Sequence, residues 1–174
     1  MNQGRYIRSL KENIPFQPSL RLTSFEMNKS ELIKYCISIT ESRITELQKQ
    51  MEQMVESKEN DTKSSAGDKF ETSREMLQQE ENNLKKQLIL WGQLRRDFTS
   101  IDPSKKLNEA QFGAVVKASN GIYFLSAALG KIEFKKEKIF CISMASPMGG
   151  LLQGRSEGDE IEFNDKVIRV VEII

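Results

Sequence analysis

The chain has 174 residues, with 26 Lys or Arg against 25 Asp or Glu, and it contains no histidine. The near-neutral balance argues against a general nucleic-acid binder, which usually carries a basic excess, and the absence of histidine excludes Ser-His-Asp and Cys-His catalysis. No apolar run approaches the roughly 18 residues of a membrane span, and no secretory apolar segment opens the chain. We therefore expect a cytoplasmic protein with no membrane partner.

Residues 1–27 show no sustained periodicity and contain Pro15 and Pro18. Met27 stands immediately before a residue suited to capping a helix. Two interpretations remain open: the segment is a loosely ordered tail, or it is an upstream extension ahead of a native start at Met27. Neither interpretation gives the segment a chemical role.

Two seven-residue repeats predict an antiparallel helical hairpin over residues 28–98. The outgoing arm has two rows, Ile33, Thr40, Leu47 and Met54, then Ile37, Ile44 and Met51. The return arm has Phe70, Leu77, Leu84, Trp91 and Phe98, beside the mostly polar row Ser73, Glu80, Gln87 and Leu94. We expect Asn28 with Glu31 to cap the first arm, and residues 58–67 to form a polar turn. Each arm of about 30 residues would reach about 45 Å.

Residues 99–110 are rich in turn-forming residues, which predicts a linker. Over residues 111–174 the spacing of the apolar residues changes from that of a helix to that of a strand. Apolar strands at 114–118, 122–126 and 138–143 precede a hairpin built from 160–163 and 166–173. We expect a type I′ turn at Asn120-Gly121. The second domain is predicted to be α+β, a small and mostly antiparallel sheet with one short helix.

The short helix is predicted to begin at Ser146, which can cap it, with Pro147 at the first helical position. Gly154 would end the helix, and Gly158-Asp159 would turn the chain. The two cysteines, Cys36 and Cys141, lie far apart in the sequence without metal-binding neighbours. We expect both to be buried, reduced thiols.

The segment 146–159 reads Ser-Pro-Met-Gly-Gly-Leu-Leu-Gln-Gly-Arg-Ser-Glu-Gly-Asp and precedes an apolar C-terminal hairpin. It resembles the Ser-Pro-(Ile/Leu)…Leu-(Ile/Leu)-Gly-Lys…Gly-Asp segment of bacterial Gre-family transcript-cleavage factors. The order of parts is also similar, a helical hairpin followed by a compact domain of FKBP-like fold. The stretch Phe70-Glu-Thr-Ser-Arg-Glu75, with Gln78-Gln79, resembles the family's descending arm. The resemblance covers residues 28–174.

This resemblance implies a transcription elongation factor that binds bacterial RNA polymerase. The compact domain would grip the rim of the secondary channel, and the coiled coil would descend towards the active site. Acids at the tip would help to hold the polymerase's second Mg²⁺, so that backtracked RNA is cleaved at its nascent 3′ end. The chain would then be no enzyme itself and would hold no cofactor tightly. It is expected to be a monomer, because the hairpin satisfies its own seam.

The resemblance also assigns candidate site residues. The family's acidic pair, Asp-x-x-Glu, maps onto Lys63 and Ala66, so the candidate Mg²⁺ ligands are the nearest acids, Asp61, Asp68 and Glu59. The alternative is that these acids are solvated turn residues. The candidate docking residues are Ser146, Pro147, Met148, Gly154, Gly158 and Asp159, where the alternative for Ser146-Pro147 is only a helix start. Candidate contacts to RNA or polymerase are Lys85, Lys86, Arg95 and Arg96, where the alternative is a solvated helix face.

Three other functions stay open. The first is a regulator that occupies the same channel without stimulating cleavage. The second is an FKBP-like prolyl isomerase, although few aromatic residues could line a proline pocket: Phe112, Tyr123, Phe124, Phe134, Phe140 and Phe163. The third is a structural coiled-coil adaptor.

Overall fold

The structure, a computed structural model, describes residues 27–61 and 69–174, and side chains within 27–57 and 74–174. Two long helices, α1 (Lys29–Asp61) and α2 (Lys69–Thr99), precede a six-stranded sheet. Its strands are β1 (Val115–Ala118), β2 (Gly121–Leu125), β3 (Gly130–Phe134), β4 (Glu137–Ile142), β5 (Glu160–Phe163) and β6 (Lys166–Ile173). A short helix, α3 (Pro147–Leu152), lies between β4 and β5. The predicted α+β class is confirmed.

The start of α1 follows the predicted cap. The side-chain oxygen of Asn28 accepts a hydrogen bond from the Glu31 backbone N–H at 3.1 Å, and the Asn28 carbonyl accepts from the Leu32 N–H at 3.0 Å. Met27 is buried in the same apolar cluster as Leu32, in the arrangement of a hydrophobic staple. Polar capping and apolar packing together fix where the chain enters the helix.

The two helices form a hairpin whose seam follows the predicted repeats. The fully or nearly buried residues of this hairpin seam are Leu47, Met54 and Leu84, with Met51, Leu77, Leu88 and Trp91 packed partly buried against them. Thr40 occupies a seam position at 0% exposure, and its hydroxyl donates to the Ile37 carbonyl at 2.6 Å. That bond satisfies the buried hydroxyl within its own helix. The repeat therefore predicted the packing face, whereas Leu88 lies outside the predicted rows.

The sheet has the strand order β3-β4-β2-β1-β6-β5. Its pairs are antiparallel except for β2 with β4, which run parallel with Ile122 opposite Ile139. The sequence prediction contained no β3, and this strand explains the parallel pair. After β2 the chain passes to the sheet edge as β3 and then reverses direction into β4. Strand β4 is antiparallel to β3 and lies between β3 and β2, where it runs in the same direction as β2. The sheet is thus mostly antiparallel, as predicted, with one parallel pair.

The predicted type I′ turn at Asn120-Gly121 is wrong. Ala118 pairs with Gly121, so the loop residues are Ser119 and Asn120, and Gly121 already belongs to β2. A type I′ turn needs positive φ at both loop residues. That condition is met at Asn164-Asp165, with φ of 51° and 59°, and at Lys135-Lys136, with φ of 51° and 70°.

The sheet is packed on both faces. The core between the sheet and the base of the hairpin, here called the hairpin-side core, contains Met27, Leu32, Ile33, Cys36, Phe98, Ile101, Val115, Phe124, Ala127, Ile132, Phe134, Ile139 and Cys141. The opposite face packs with α3 in the α3-side core, which contains Leu107, Ala110, Ala114, Val116, Tyr123, Leu125, Met148, Leu152, Ile161, Ile168, Val170 and Ile173. The alternation of Val115 and Val116 between the two cores is the period of a strand.

Of residues 99–110, predicted as a linker, Thr99 ends α2, and residues 100–110 contain no helix or strand but bury Ile101, Leu107 and Ala110. The first belongs to the hairpin-side core and the other two to the α3-side core. The connection is therefore packed against both faces of the sheet. None of the helices described is long and apolar enough to cross a membrane.

Candidate docking site

The start of α3 is built by two hydrogen bonds of one hydroxyl. Ser146 has extended backbone angles, and its Oγ accepts from the Gly149 N–H at 3.0 Å. The same Oγ donates to the Ser143 carbonyl at 2.8 Å. Pro147 takes the first helical position, where its missing N–H costs no intrahelical bond, and its ring is exposed. The predicted cap is confirmed, and it presents a proline to solvent.

Gly149 is required by the tightness of this turn, although the sequence reasoning did not single it out. A Cβ at this position would lie 2.1 Å from the Ser143 carbonyl oxygen and 2.9 Å from the Ser146 Oγ. At Gly150 the nearest atom, the Met144 carbonyl oxygen, is 4.0 Å away. The Gly-Gly pair was the available signal, and only its first member is sterically constrained.

The side chain of Met148 is 8% exposed and belongs to the α3-side core, together with Leu152. The side chain therefore has a structural role in the core, and a docking role for Met148 remains a prediction. The exposed residues beside it are Ala145, Pro147 and Gly150, which leave a low surface of small side chains around the proline ring.

The remaining docking candidates lie in the turns that follow α3. Gly154 has a φ of 73°, and its N–H donates to the Ala110 carbonyl at 2.8 Å. Gly158 has a φ of 92°, and the Asp159 carboxylate accepts from the Ser156 N–H at 2.9 Å. These contacts shape the loop between α3 and β5. They give each residue a structural role, and a docking role for them remains a prediction.

The four cations predicted as contacts to RNA or polymerase are all exposed on α2: Lys85, Lys86, Arg95 and Arg96. Lys85 forms an ion pair with Glu81 at 2.5 Å, and a guanidinium nitrogen of Arg96 donates to the Gln93 side-chain oxygen at 2.7 Å. Exposed pairs of this kind add little stability. Ile89 and Leu90, which are 70% and 57% exposed, lie next to the first pair of lysines on the same helix. Both are apolar residues outside the predicted seam rows, a signal that the sequence reasoning did not use.

The acids predicted to hold Mg²⁺ lie at the far end of the hairpin. Glu59 and Asp61 belong to the last turn of α1, but their side chains are not among those described, and Asp68 lies outside the described residues. The predicted metal site is therefore not tested by the geometry. Within the part of the chain that the structure describes, no group of three or more His, Cys, Asp or Glu could hold a metal ion.

The aromatic residues of the sheet domain, expected from the sequence to be too few to line a proline pocket, lie mostly in the two cores. Tyr123, Phe124 and Phe134 are buried in the two cores, and the Tyr123 ring stacks on Phe140 with centroids 5.7 Å apart. Phe112 is 43% exposed. A cavity of about 750 Å³ lies at the start of α1, where Lys29, Lys105 and Glu157 contribute to its wall, and no aromatic residue lines it.

No protein-family model matches the chain, and no curated protein matches it. Among solved structures, a crystal structure of Thermus aquaticus Gfh1 is 23% identical over 84% of this chain and 94% of that chain, with a TM-score of 0.26. A second structure, of the transcription factor Gfh1, is 19% identical with the same coverage and TM-score. At these values the likeness carries no functional assignment.

Proposed function

We propose that this chain is a transcription factor that binds bacterial RNA polymerase at the rim of its secondary channel and extends its helical hairpin into the channel. The observation that carries the proposal is a long, self-contained hairpin held at its base by a domain whose surface segment resembles the docking segment of Gre-family factors. The proposal combines that resemblance with the shape of the molecule.

The hairpin is long enough to reach into a channel of the polymerase. Helices α1 and α2 have 33 and 31 residues, which at about 1.5 Å per residue extend about 45–50 Å. The hairpin seam buries the apolar rows of both helices against each other. Most of the outward face is therefore polar, as expected for a hairpin that lies in a wet channel without pairing to another helix.

The base of the hairpin is fixed to the sheet by aromatic and ionic contacts. The ring centroids of Phe98 and Phe124 are 6.0 Å apart, and those of Tyr35 and Phe134 are 5.4 Å apart. Glu31 at the start of α1 also forms an ion pair with Lys135 in the β3–β4 turn. Because several contacts join the two parts, docking of the sheet domain would set the direction of the hairpin.

Stimulation of RNA cleavage is a narrower proposal than binding. Lys63 and Ala66 occupy the positions that are acidic in the family this chain resembles. The candidate carboxylate ligands to a polymerase-held Mg²⁺ are Glu59, Asp61 and Asp68, the acids nearest those positions. Carboxylates suit a hard, partly hydrated cation, and the ion would supply charge stabilisation within the polymerase's own centre. Without those ligands the chain would occupy the channel and regulate transcription without cleavage.

The test of docking is Pro147→Arg in a co-purification assay with bacterial RNA polymerase. The variant places a long charged side chain on the surface around α3, so we expect at least a tenfold loss of polymerase binding. Pro147→Ala tests the effect of losing the proline alone, and Val167→Arg is the matched control. Val167 is exposed and, from the register of β6, lies on the sheet face opposite α3. Equal binding by wild type and Pro147→Arg would refute the docking assignment.

A further inference from the structure

Two cysteines that are distant in the sequence meet between the hairpin and the sheet. Cys36 lies on α1 and Cys141 on β4, 105 residues apart, and their Sγ atoms are 4.0 Å apart. Both side chains are buried, at 0% and 1% exposure. Both belong to the hairpin-side core, so this contact spans the boundary between the two parts of the molecule.

The two cysteines lie where a covalent bond would restrict movement of the hairpin relative to the sheet. Cys141 lies on β4, which is flanked by β3 and β2, and Cys36 lies about two turns into the hairpin's first helix. A covalent bond at this point would tie the hairpin to an internal strand of the sheet. It would also close a loop that contains α2 and the strands β1 to β3.

We propose that Cys36 and Cys141 form a reversible disulfide that locks the base of the hairpin to the sheet. A disulfide needs its sulfurs about 2.05 Å apart, so the two Sγ atoms must approach by roughly 2 Å. This inference goes beyond polymerase binding and does not depend on it.

The oxidant is a peroxide, and the reaction balances in two steps. The thiolate of one cysteine attacks an oxygen of hydrogen peroxide, which breaks the O–O bond and gives a sulfenic acid and, after protonation, water. The second thiol attacks the sulfenic sulfur, forms the S–S bond and releases a second water. Two thiols are oxidised by two electrons and the peroxide is reduced to two waters. A small dithiol reverses the link by thiol–disulfide exchange.

Burial sets when the reaction can occur. The hydrogen bond with Cys36, followed by burial, raises the pKa of the Cys141 thiol well above its ordinary value. Because the thiolate is the reactive form, the closed pair reacts slowly with peroxide. Opening of the hairpin base from the sheet would expose the thiols, and reclosing would complete the link. The disulfide therefore captures the closed arrangement of the two parts.

The test treats the folded, full-length protein with hydrogen peroxide and measures intact mass and non-reduced peptides. We expect a loss of two hydrogens and one cross-linked peptide pair that contains Cys36 and Cys141. The variants Cys36→Ser and Cys141→Ser should give no such link. A reference variant that carries Ser38→Cys in a background without the two native cysteines reports oxidation of an exposed thiol on the same helix.

Three results would overturn the proposal. They are two free thiols in the wild type after peroxide treatment prolonged far beyond the time that fully oxidises the Ser38→Cys reference, so that the hairpin base has had time to open, sulfinic acids without a link, or links between molecules only. A second measurement tests the lock itself. Oxidised wild type should unfold at a temperature higher by on the order of 10 °C, reversed by dithiothreitol. An unchanged Tm in fully linked protein would show that the bond locks nothing.

Discussion

Phe98→Ala tests whether the hairpin and the sheet form one cooperative unit. Phe98 is the penultimate residue of α2, is 0% exposed, and packs its ring against Phe124 at 6.0 Å between centroids. It lies in the hairpin-side core, with residues of the hairpin base and of the sheet around it. Removal of its ring therefore leaves a cavity at the junction of the two parts.

The expected magnitude follows from the burial. Truncation of a buried Phe to Ala costs about 3–5 kcal/mol, including the cavity that remains. The aromatic pair contributes roughly 0.5–1.5 kcal/mol beyond burial, which places Phe98→Ala near the upper end of that range. Against a total stability of about 5–15 kcal/mol, this loss is large enough to separate the unfolding of the two parts.

The assay is guanidinium unfolding followed by two probes, helix content by circular dichroism for the hairpin and hydrogen exchange of the β2 and β4 backbone amides for the sheet. In the wild type both probes should report one transition. In Phe98→Ala the free energy of unfolding should fall by about 5 kcal/mol. Leu90→Ala, on the same helix and 57% exposed, is the matched control and should change stability by less than about 0.5 kcal/mol. A loss below about 1 kcal/mol in Phe98→Ala would refute the shared core.

Three further outcomes are expected. Gly149→Ala should destabilise the protein by about 1–3 kcal/mol because the new methyl group would meet the Ser143 carbonyl oxygen. Gly150→Ala, the control, should be neutral or slightly stabilising, and equal losses of stability for the two variants in urea unfolding would contradict the steric argument. The folded protein keeps the Cys141 proton that the unfolded chain releases above its ordinary pKa of 9.0, so this thiol's contribution to stability is present below pH 9 and lost above it. The unfolding free energy of the wild type should therefore fall more steeply above pH 9 than that of Cys141→Ser, and equal slopes would contradict this reasoning. Asp61→Asn should leave polymerase binding unchanged and reduce any wild-type stimulation of Mg²⁺-dependent RNA shortening in backtracked complexes; equal shortening by wild type and variant would exclude Asp61 as a ligand.

Local patterns predicted the hairpin well. The seven-residue repeat placed Leu47 and Leu84 in the seam because helix pairing imposes that period on the sequence. The caps at Asn28 and Ser146 were also predicted, since each depends on side chains within three residues. These features are short-range, and one sequence contains the information that fixes them.

Long-range pairing was not predictable in the same way. Strand β3 contributes only Ile132 and Phe134 to the core, too few residues for a clear alternating pattern. Without β3 the parallel neighbours β2 and β4 could not be inferred. The contact of Cys36 with Cys141 follows from how α1 lies on the sheet, and no sequence spacing encodes it. The proposed docking and metal roles would exist only in a complex with another molecule, so their tests must include that molecule.

Site-specific photocrosslinking shows whether the hairpin enters the secondary channel of the polymerase. A photoreactive amino acid at Ser57, exposed in the distal part of α1, is compared with one at Glu41, exposed nearer the base. The two positions are about 24 Å apart along the helix. We expect Ser57 to crosslink to residues inside the secondary channel and Glu41 to residues nearer its rim. Crosslinks from both positions to the outer surface of the polymerase, or from neither position to the polymerase, would contradict insertion of the hairpin.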